Sequence, residues 1–265
     1  MNNIENFTGV YKMDNKIPKI IHYCWLSDDP FPVEFERYIK GWKRILPEYE
    51  FKLWNFSVFP KEKSLWVKQA FDSKKYAFAA DYIRLFALYN FGGIYMDMDI
   101  EVLKSFNDLL DRDVMVGYEN DKTKVIEAGC FGAVKNNSFI GKCLEYYKDR
   151  LFIKADGSYD MKPLPQIITP IYKQFYSEIP FSSDYFTAKS QSTGIISITK
   201  NTYAVHHFAG SWTIPFRKKY MALRNEFSKK IGISAARLIL LPMHFICVIK
   251  EVGVKSAILK ILKRK

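Results

Sequence analysis

The chain is predicted to be an α/β protein, with a mostly parallel central sheet flanked by helices and a basic amphipathic helical region behind it. Three features lead there. Short β-rich apolar runs alternate with stretches of helical periodicity along most of the length. A helix, a Gly-Gly break and a strand follow one another without interruption across residues 77–101. Positive charge is concentrated at the end: residues 217–265 hold thirteen Lys or Arg against Glu226 and Glu251, a net of +11 out of +12, leaving +1 for residues 1–216. With 265 residues, 48% hydrophobic and 16% aromatic, the chain can bury a sizeable core as one domain. The expected division is therefore 1–216 for the α/β domain and 217–265 for the basic tail.

Each element has its own signal. Residues 19–25 form a β-rich run after Pro18, closed by the loop Asp28-Asp29-Pro30. A helix is expected over 33–46, a strand over 49–54 and a helix over 64–71. In the next helix Phe78, Ile83, Leu85, Phe86 and Leu88 carry the apolar pattern, while Asp81 and Arg84, three apart, share a face. Gly92-Gly93 ends it and starts the strand Ile94-Tyr95-Met96. Strands are expected over 114–118 and 130–135, a helix over 138–152, a loop over 153–165 and a short helix over 166–175. Two last strands fall at 195–199 and 203–208. No internal repeat or low-complexity segment interrupts this order.

The chemistry gathers after the Gly-Gly turn. Asp97 and Asp99 stand at i and i+2, so an extended strand would project both carboxylates from one face. Like charges so close persist where a cation offsets them, and carboxylate oxygen is the donor that Mg²⁺ and Mn²⁺ prefer. The simplest occupant is a divalent cation that also holds a diphosphate. A bare D-x-D is a weak signal, and the helix with Asp81 and Arg84 in front of it is what strengthens it. Trp25 lies at the C-terminal end of the first strand, where α/β sheets place ligands. Its ring can stack on a base, worth about 1–3 kcal/mol in nucleic-acid sites, or serve as ordinary core. Near the end of the domain, alternation puts His206 and His207 on opposite strand faces, so at most one can face a metal. An imidazole beside carboxylates tilts the metal from Mg²⁺ toward Mn²⁺.

The run A-D-x-x-R followed by G-G-x-Y-x-D-x-D resembles the sugar-nucleotide core of the DXD glycosyltransferases typified by glycosyltransferase family 32. That family contains the yeast initiating mannosyltransferase, with the clostridial glucosylating toxin domains as relatives. The resemblance covers roughly residues 17–216. It implies the GT-A fold, a single nucleotide-binding α/β domain, and a UDP-sugar as donor. In similar enzymes the tryptophan matching Trp25 packs against uracil, and Asp81 and Arg84 bind the sugar. Asp99 is the expected direct metal ligand, with Asp97 bridging toward ribose, sugar hydroxyls or metal. The pattern H-F-x-G followed by Trp resembles the family's late metal histidine and selects His207, with His206 in reserve. Ser211 and Trp212 look like the diphosphate contacts, a hydroxyl and an indole N–H that both donate. Similar enzymes retain anomeric configuration. Glu119, Glu127, Asp160 and Gln166 lie in segments that could border the acceptor.

Composition narrows the setting. Cys24, Cys130, Cys143 and Cys247 show no C-x-x-C spacing, which fits reduced thiols in a cytosolic protein. The first sixteen residues lack a hydrophobic stretch, so no signal peptide or N-terminal anchor is expected there, whereas Golgi members of the family carry one. In the tail, residues 235–249 are strongly apolar but short of the roughly 20 needed to span a bilayer. Further on, Val254, Ala257, Ile258, Ile261 and Leu262 share a helical face that Lys255, Lys260, Lys263 and Arg264 avoid. A basic amphipathic helix reads as a membrane-surface element, and nucleic acid would not need so much aliphatic surface. The expectation is a peripheral enzyme on the inner face of a bacterial cell membrane. Its acceptor would be a polyprenyl-diphosphate-linked saccharide, an intermediate of capsule or another surface polysaccharide. A catalytically idle sugar-nucleotide- or membrane-binding protein is the rival reading. A nucleotidyltransferase is disfavoured because no Gly-rich phosphate loop followed by Lys or Arg appears early in the chain.

Overall fold

The central sheet is built from strands β1 (Ile20–Cys24), β2 (Glu50–Trp54), β3 (Gly93–Met96), β5 (Val114–Met115) and β8 (Cys130–Ala133), in the order β2-β1-β3-β8-β5. The structure, a computed structural model, describes residues 16–210 and 215–252. β1 runs parallel to both β2 and β3, while β8 is antiparallel to β3 and to β5. Four of the five strands thus point the same way, and β8 alone is reversed. Helices α1 (Val33–Ile45), α2 (Leu65–Asp72) and α3 (Tyr76–Phe91) run between these strands, and α4 (Ser138–Glu145) and α5 (Leu164–Phe175) follow β8. Two small ladders lie outside the main sheet: β4 (Ile100–Val102) with β9 (Ala204–His206), and the hairpin β6 (Tyr118–Asn120) with β7 (Val125–Ile126). The chain continues into α6 (Pro215–Ile231), α7 (Ile233–Ile239) and α8 (Leu241–Val252).

The two-residue period of the strands sorts the core into two layers. Ile21, Tyr23, Ile94 and Met96 face one side, where they meet Phe35, Tyr38, Ile39 and Trp42 of α1. Those four recur at i, i+3, i+4 and i+7, the stripe of an amphipathic helix. Trp42 is fully buried and its indole N–H donates to Ile100 O at 2.7 Å, which ties α1 to β4. Tyr95 and Phe131 face the other side, against Trp66, Ile83, Leu85, Phe139 and Ile168 from α2 to α5. Glu34 and Glu36 in the first turn of α1, with Lys43 and Arg44 in its last, complement the helix dipole. Ser64 caps α2 by accepting from Val67 N, and Asn137 caps α4 by accepting from Ile140 N.

Gly92 and Gly93 are required by geometry. Gly92 ends α3 at φ 65° and ψ −172°, a conformation open to glycine alone. A Cβ there would sit 2.7 Å from Lys135 N, and one on Gly93 would sit 2.6 Å from Ile20 O.

Several expected boundaries shift. The helix foreseen over 138–152 stops at Glu145, and the chain reverses through Asp149 at φ 55°. Residues 195–199 are not a strand: only Ile196 bridges to Lys189, and Ile195, Ile196 and Ile198 are exposed. Gly194, at φ 71°, turns the chain just before them, leaving their β-branched side chains no sheet to cover. Most consequentially, β3 ends at Met96, so Asp97-Met98-Asp99 form a turn and not part of an extended strand. Asp97 N donates to Gly129 O at 2.7 Å, and Ile100 N returns to Asp97 O at 3.1 Å, closing that turn. Among the described residues no single helix is long and apolar enough to cross a membrane. The amphipathic run 254–262 lies outside the described residues.

His22 sits fully buried in the sheet with both ring nitrogens engaged. Trp54 Nε1 donates to Nδ1 at 3.1 Å, so Nε2 carries the proton and donates to Gly92 O at 2.7 Å. Burial, against the favourable Gly92 bond, holds its pKa down at about 4. The unfolded chain takes up this proton near pH 6.5, so stability falls as pH drops from about 6.5 to about 4 and this contribution is flat below. The loss expected from this one group is about 2–4 kcal/mol. Urea unfolding of wild type and His22→Gln across that range checks it: the variant should be less stable at pH 7 but lose less on acidification.

Candidate active site

α3 is almost wholly apolar, yet it carries two charged groups into the interior: Asp81 is 8% exposed and Arg84 6%. Their spacing of three residues places them on one face, with Arg84 Nη2 3.3 Å from Asp81 Oδ1. The same nitrogen lies 3.3 Å from Asp97 Oδ1 across the turn after β3. Arg84 Nη1 donates to Ala128 O at 2.6 Å, and the guanidinium lies over the Tyr95 ring, 4.4 Å from its centroid. Tyr95 Oη donates to Asp97 Oδ1 at 2.9 Å. One guanidinium thus ties the helix, the turn and the strand β8 approach together. Burial pushes the Asp81 carboxyl up to about 6 despite Arg84, and burial likewise raises Asp97 against Arg84.

The second acid is held from the opposite direction. β4 pairs with β9 so that Ile100 faces His206, which sets His206 beside Asp99. His206 Nε2 lies 3.4 Å from Asp99 Oδ1, and its Nδ1 lies 3.2 Å from Glu127 Oε1. Asp99 Oδ2 accepts from Ala209 N at 2.6 Å. Burial would raise Asp99, but His206 and the Ala209 N–H outweigh it and hold this carboxyl down at about 2. Burial would also lower His206, yet Glu127 and Asp99 hold its pKa well above the usual histidine range. Glu127, itself 2% exposed, accepts from Gly129 N at 2.5 Å and from Thr187 Oγ1 at 3.3 Å. Donor atoms of Asp97, Asp99 and His206 all fall within 4.8 Å of one another. Gly129 makes room for this cluster: a Cβ there would lie 2.8 Å from Glu127 Oε1, 2.8 Å from His206 Cε1 and 2.9 Å from Asp97 Oδ2.

The donor set suits a divalent cation. It offers two carboxylates and an imidazole whose far nitrogen faces a buried carboxylate, the carboxylate–histidine arrangement that fixes a metal ligand's tautomer. The histidine differs from the expectation. His207 points away from the cluster: its Nε2 bonds Glu101 Oε2 at 2.8 Å and its ring stacks on Tyr38 at 5.0 Å. The cause is the strand alternation itself. Pairing Ile100 with His206 turns His206, the reserve candidate, toward the acids and His207 to the opposite face.

Trp25 stands just after β1, as expected, half-buried, with its indole N–H donating to Asp29 O at 2.8 Å and its ring edge-on to Phe31 and Phe35. Ser211 and Trp212 lie outside the described residues. Of the four acceptor-border candidates, Glu127 belongs to the carboxylate–histidine cluster itself. Glu119 is pushed up to about 7 by burial and by Glu127 nearby. Asp160 pairs with Arg150 at 2.9 Å, and Gln166 is exposed on α5. Tyr95 and Gly129 were not singled out beforehand. Tyr95 stood within the G-G-x-Y run, whereas Gly129 had no local signal.

The fold and this cluster define an α/β domain with a carboxylate–histidine site at the end of β3. Residues 32–116 match the family described as "Glycosyltransferase sugar-binding region containing DXD motif". It is 28% identical over 233 residues to a mannosyl phosphorylinositol ceramide synthase of Saccharomyces cerevisiae, covering 79% of this chain and 55% of the relative. It is 32% identical over 120 residues to inositol phosphoceramide mannosyltransferase 1 of Schizosaccharomyces pombe, covering 40% of this chain and 37% of the relative. The chain therefore spans about half or less of the length of these relatives. Among solved structures it is similar to "PaToxG Glycosyltransferase", with TM-score 0.49 and 19% identity over 61% of this chain and 70% of that one.

Arg84→Met would leave the buried Asp81 without its cation and remove one of the groups that offset the half-buried Asp97. It should destabilise the fold by about 3–5 kcal/mol, read by denaturant unfolding at neutral pH. Adding Asp81→Asn should recover part of that loss, because one stranded charge is then removed.

Proposed function

We propose that the chain is a metal-dependent, retaining glycosyltransferase that moves a hexose from a nucleotide sugar, UDP-linked in the first instance, to a lipid-linked saccharide. The observation that carries this reading is the convergence of Asp97, Asp99 and His206 in front of Glu127, beside the buried Asp81–Arg84 pair. A divalent ion, Mn²⁺ by preference or Mg²⁺, would be held by Asp97, Asp99 and His206 and would supply positive charge to the leaving diphosphate. Mannose is the first hexose to test, because the similar curated proteins are named as mannosyltransferases.

The protein's own groups have separable tasks. Trp25 offers its ring to the base at the end of β1. Asp81 and Arg84 present an acceptor and a guanidinium to the sugar, Arg84 also offsetting charge near the diphosphate. Glu127, whose Oε1 lies 3.2 Å from His206 Nδ1, would favour the proton on that nitrogen and leave Nε2 to act as a ligand. Binding requires His206 to give up the proton that its two carboxylate neighbours otherwise stabilise, so metal uptake releases a proton. Ser211 and Trp212 are proposed to donate to the diphosphate. The acceptor is proposed to be a polyprenyl-diphosphate-linked saccharide of capsule or other surface polysaccharide synthesis, met at the inner face of a bacterial membrane. The ceramide named in the relatives supports a lipid-borne acceptor in general.

Titration of UDP and GDP with and without Mn²⁺, followed by sugar-nucleotide hydrolysis assays, tests the reading. Asp99→Ala should abolish metal-dependent nucleotide binding and turnover, and EDTA should do the same to wild type. Activity that survives EDTA undiminished refutes the metal site.

Glu127→Gln probes the residue behind the histidine. It should weaken Mn²⁺ about 10–100-fold while leaving metal-free nucleotide affinity unchanged. Calorimetry in buffers of different ionisation enthalpy should show proton release on Mn²⁺ binding by wild type. Trp25→Ala should cost nucleotide binding about 1–3 kcal/mol, whereas Arg84→Lys should harm turnover more than nucleotide affinity.

A further inference from the structure

α7 and α8 are seven and twelve residues long and meet at a bend of 64°. One side of this elbow is seated on the protein. Ala236 and Cys247 are fully buried, the Tyr220 and His244 rings meet at 5.4 Å, and Lys250 lies 5.5 Å from the Phe216 ring of α6. The other side is apolar and open. Leu238 is 73% exposed, Ile239 54% and Leu241 56%, with Phe245 and Ile246 also exposed on the first turns of α8. Large apolar groups clustered and exposed together mark an interaction surface.

Charge identifies the partner. From residue 227 to residue 250 there is no Asp or Glu, while Lys229, Lys230, Arg237 and Lys250 are all present and exposed. Only Lys230 has an acidic partner among the described residues, Glu226 at 2.7 Å. Exposed aliphatics ringed by cations without acids complement an anionic lipid surface, where the chains enter the acyl boundary and the cations meet headgroups. We propose that the α7–α8 elbow is an interfacial wedge that inserts Leu238, Ile239, Leu241, Phe245 and Ile246 into an anionic bilayer, lying in its plane and not crossing it.

The geometry favours lying over spanning. At about 1.5 Å per residue, α7 and α8 reach about 10 and 18 Å, each short of the roughly 30 Å hydrocarbon core. Arg237 stands one residue before the exposed Leu238–Ile239 pair, at a depth where a spanning segment would bury its charge. The proposal deepens the membrane-surface part of the reading above and rests on it, but its test is independent of sugar transfer.

The experiment is co-sedimentation of the full chain with vesicles of neutral phosphatidylcholine, alone or with 30% phosphatidylglycerol added, alongside Mn²⁺-dependent UDP binding. Wild type should sediment with the anionic vesicles and not the neutral ones. Leu238→Ser/Ile239→Ser/Leu241→Ser should lose at least tenfold in vesicle affinity while keeping its circular dichroism, melting temperature and UDP binding. Lys229→Gln and Arg237→Gln should each lose about fivefold, the equivalent of about 1 kcal/mol, with the loss suppressed at high salt. The wedge is overturned if wild type ignores anionic vesicles, or if the triple serine variant binds them as well as wild type. It is equally overturned if wild type is a dimer that the serine variant splits, since the face then belongs to a second copy. Loss of all binding in the full chain carrying Lys255→Gln, Lys260→Gln, Lys263→Gln and Arg264→Gln would assign attachment to the last residues and overturn the elbow. Failure of UDP binding with intact vesicle binding would sink the transferase reading and leave the wedge standing.

Discussion

The guanidinium of Arg84 is the constraint on which the rest of the site depends. A lone charge buried on an apolar helix would be too costly to keep, and here its cost is offset by Asp81, Asp97, the Ala128 carbonyl and the face of Tyr95. Each partner comes from a different part of the chain: the helix itself, the turn after β3, the approach to β8 and the strand β3. Satisfying one cation therefore fixes how four segments meet. The register of helix against sheet is set by electrostatic necessity as much as by packing. With Asp97 Oδ1 held by Arg84 and Tyr95, the orientation of this carboxylate is set by the fold itself.

Two histidines illustrate how the same side chain acquires opposite characters from environment alone. His22 is buried with a donor on one side and an acceptor on the other, both neutral, and it stays uncharged. His206 is buried between two carboxylates and holds a proton tenaciously. The first serves the sheet, binding Trp54 to the glycine that ends α3. The second lies beside the acids, and the two carboxylates that flank it favour its charged form.

Much of this was legible in the residues, and the parts that were not share a physical reason. The alternation of elements, the helix carrying Asp81 and Arg84 and its Gly-Gly end follow from local periodicity and spacing, while a late histidine joining the acids was implied by the family resemblance. The choice between His206 and His207 does not, because it is decided by the register of β9 on β4, a pairing between segments about a hundred residues apart. The turn at Asp97-Met98-Asp99 was hidden for a similar reason: β3 stops where Gly129 of a distant segment meets it. Gly129 and the inward role of Glu127 are likewise products of tertiary contact. Residues 195–199 show the opposite failure, a β-branched run with strong local preference and no sheet edge to receive it.

The pairing of β4 with β9 also orders events during folding. The bond between His207 and Glu101 spans 106 residues, and the ladder that brings His206 to Asp99 closes a loop of the same scale. Closing so long a loop is entropically slow and is rewarded only once the intervening sheet exists. During synthesis the acids emerge about a hundred residues before their histidine, so a nascent chain displays the carboxylates of the cluster without the imidazole that completes it. The cluster is thus a checkpoint of maturity: it assembles only in a chain whose last strand has docked.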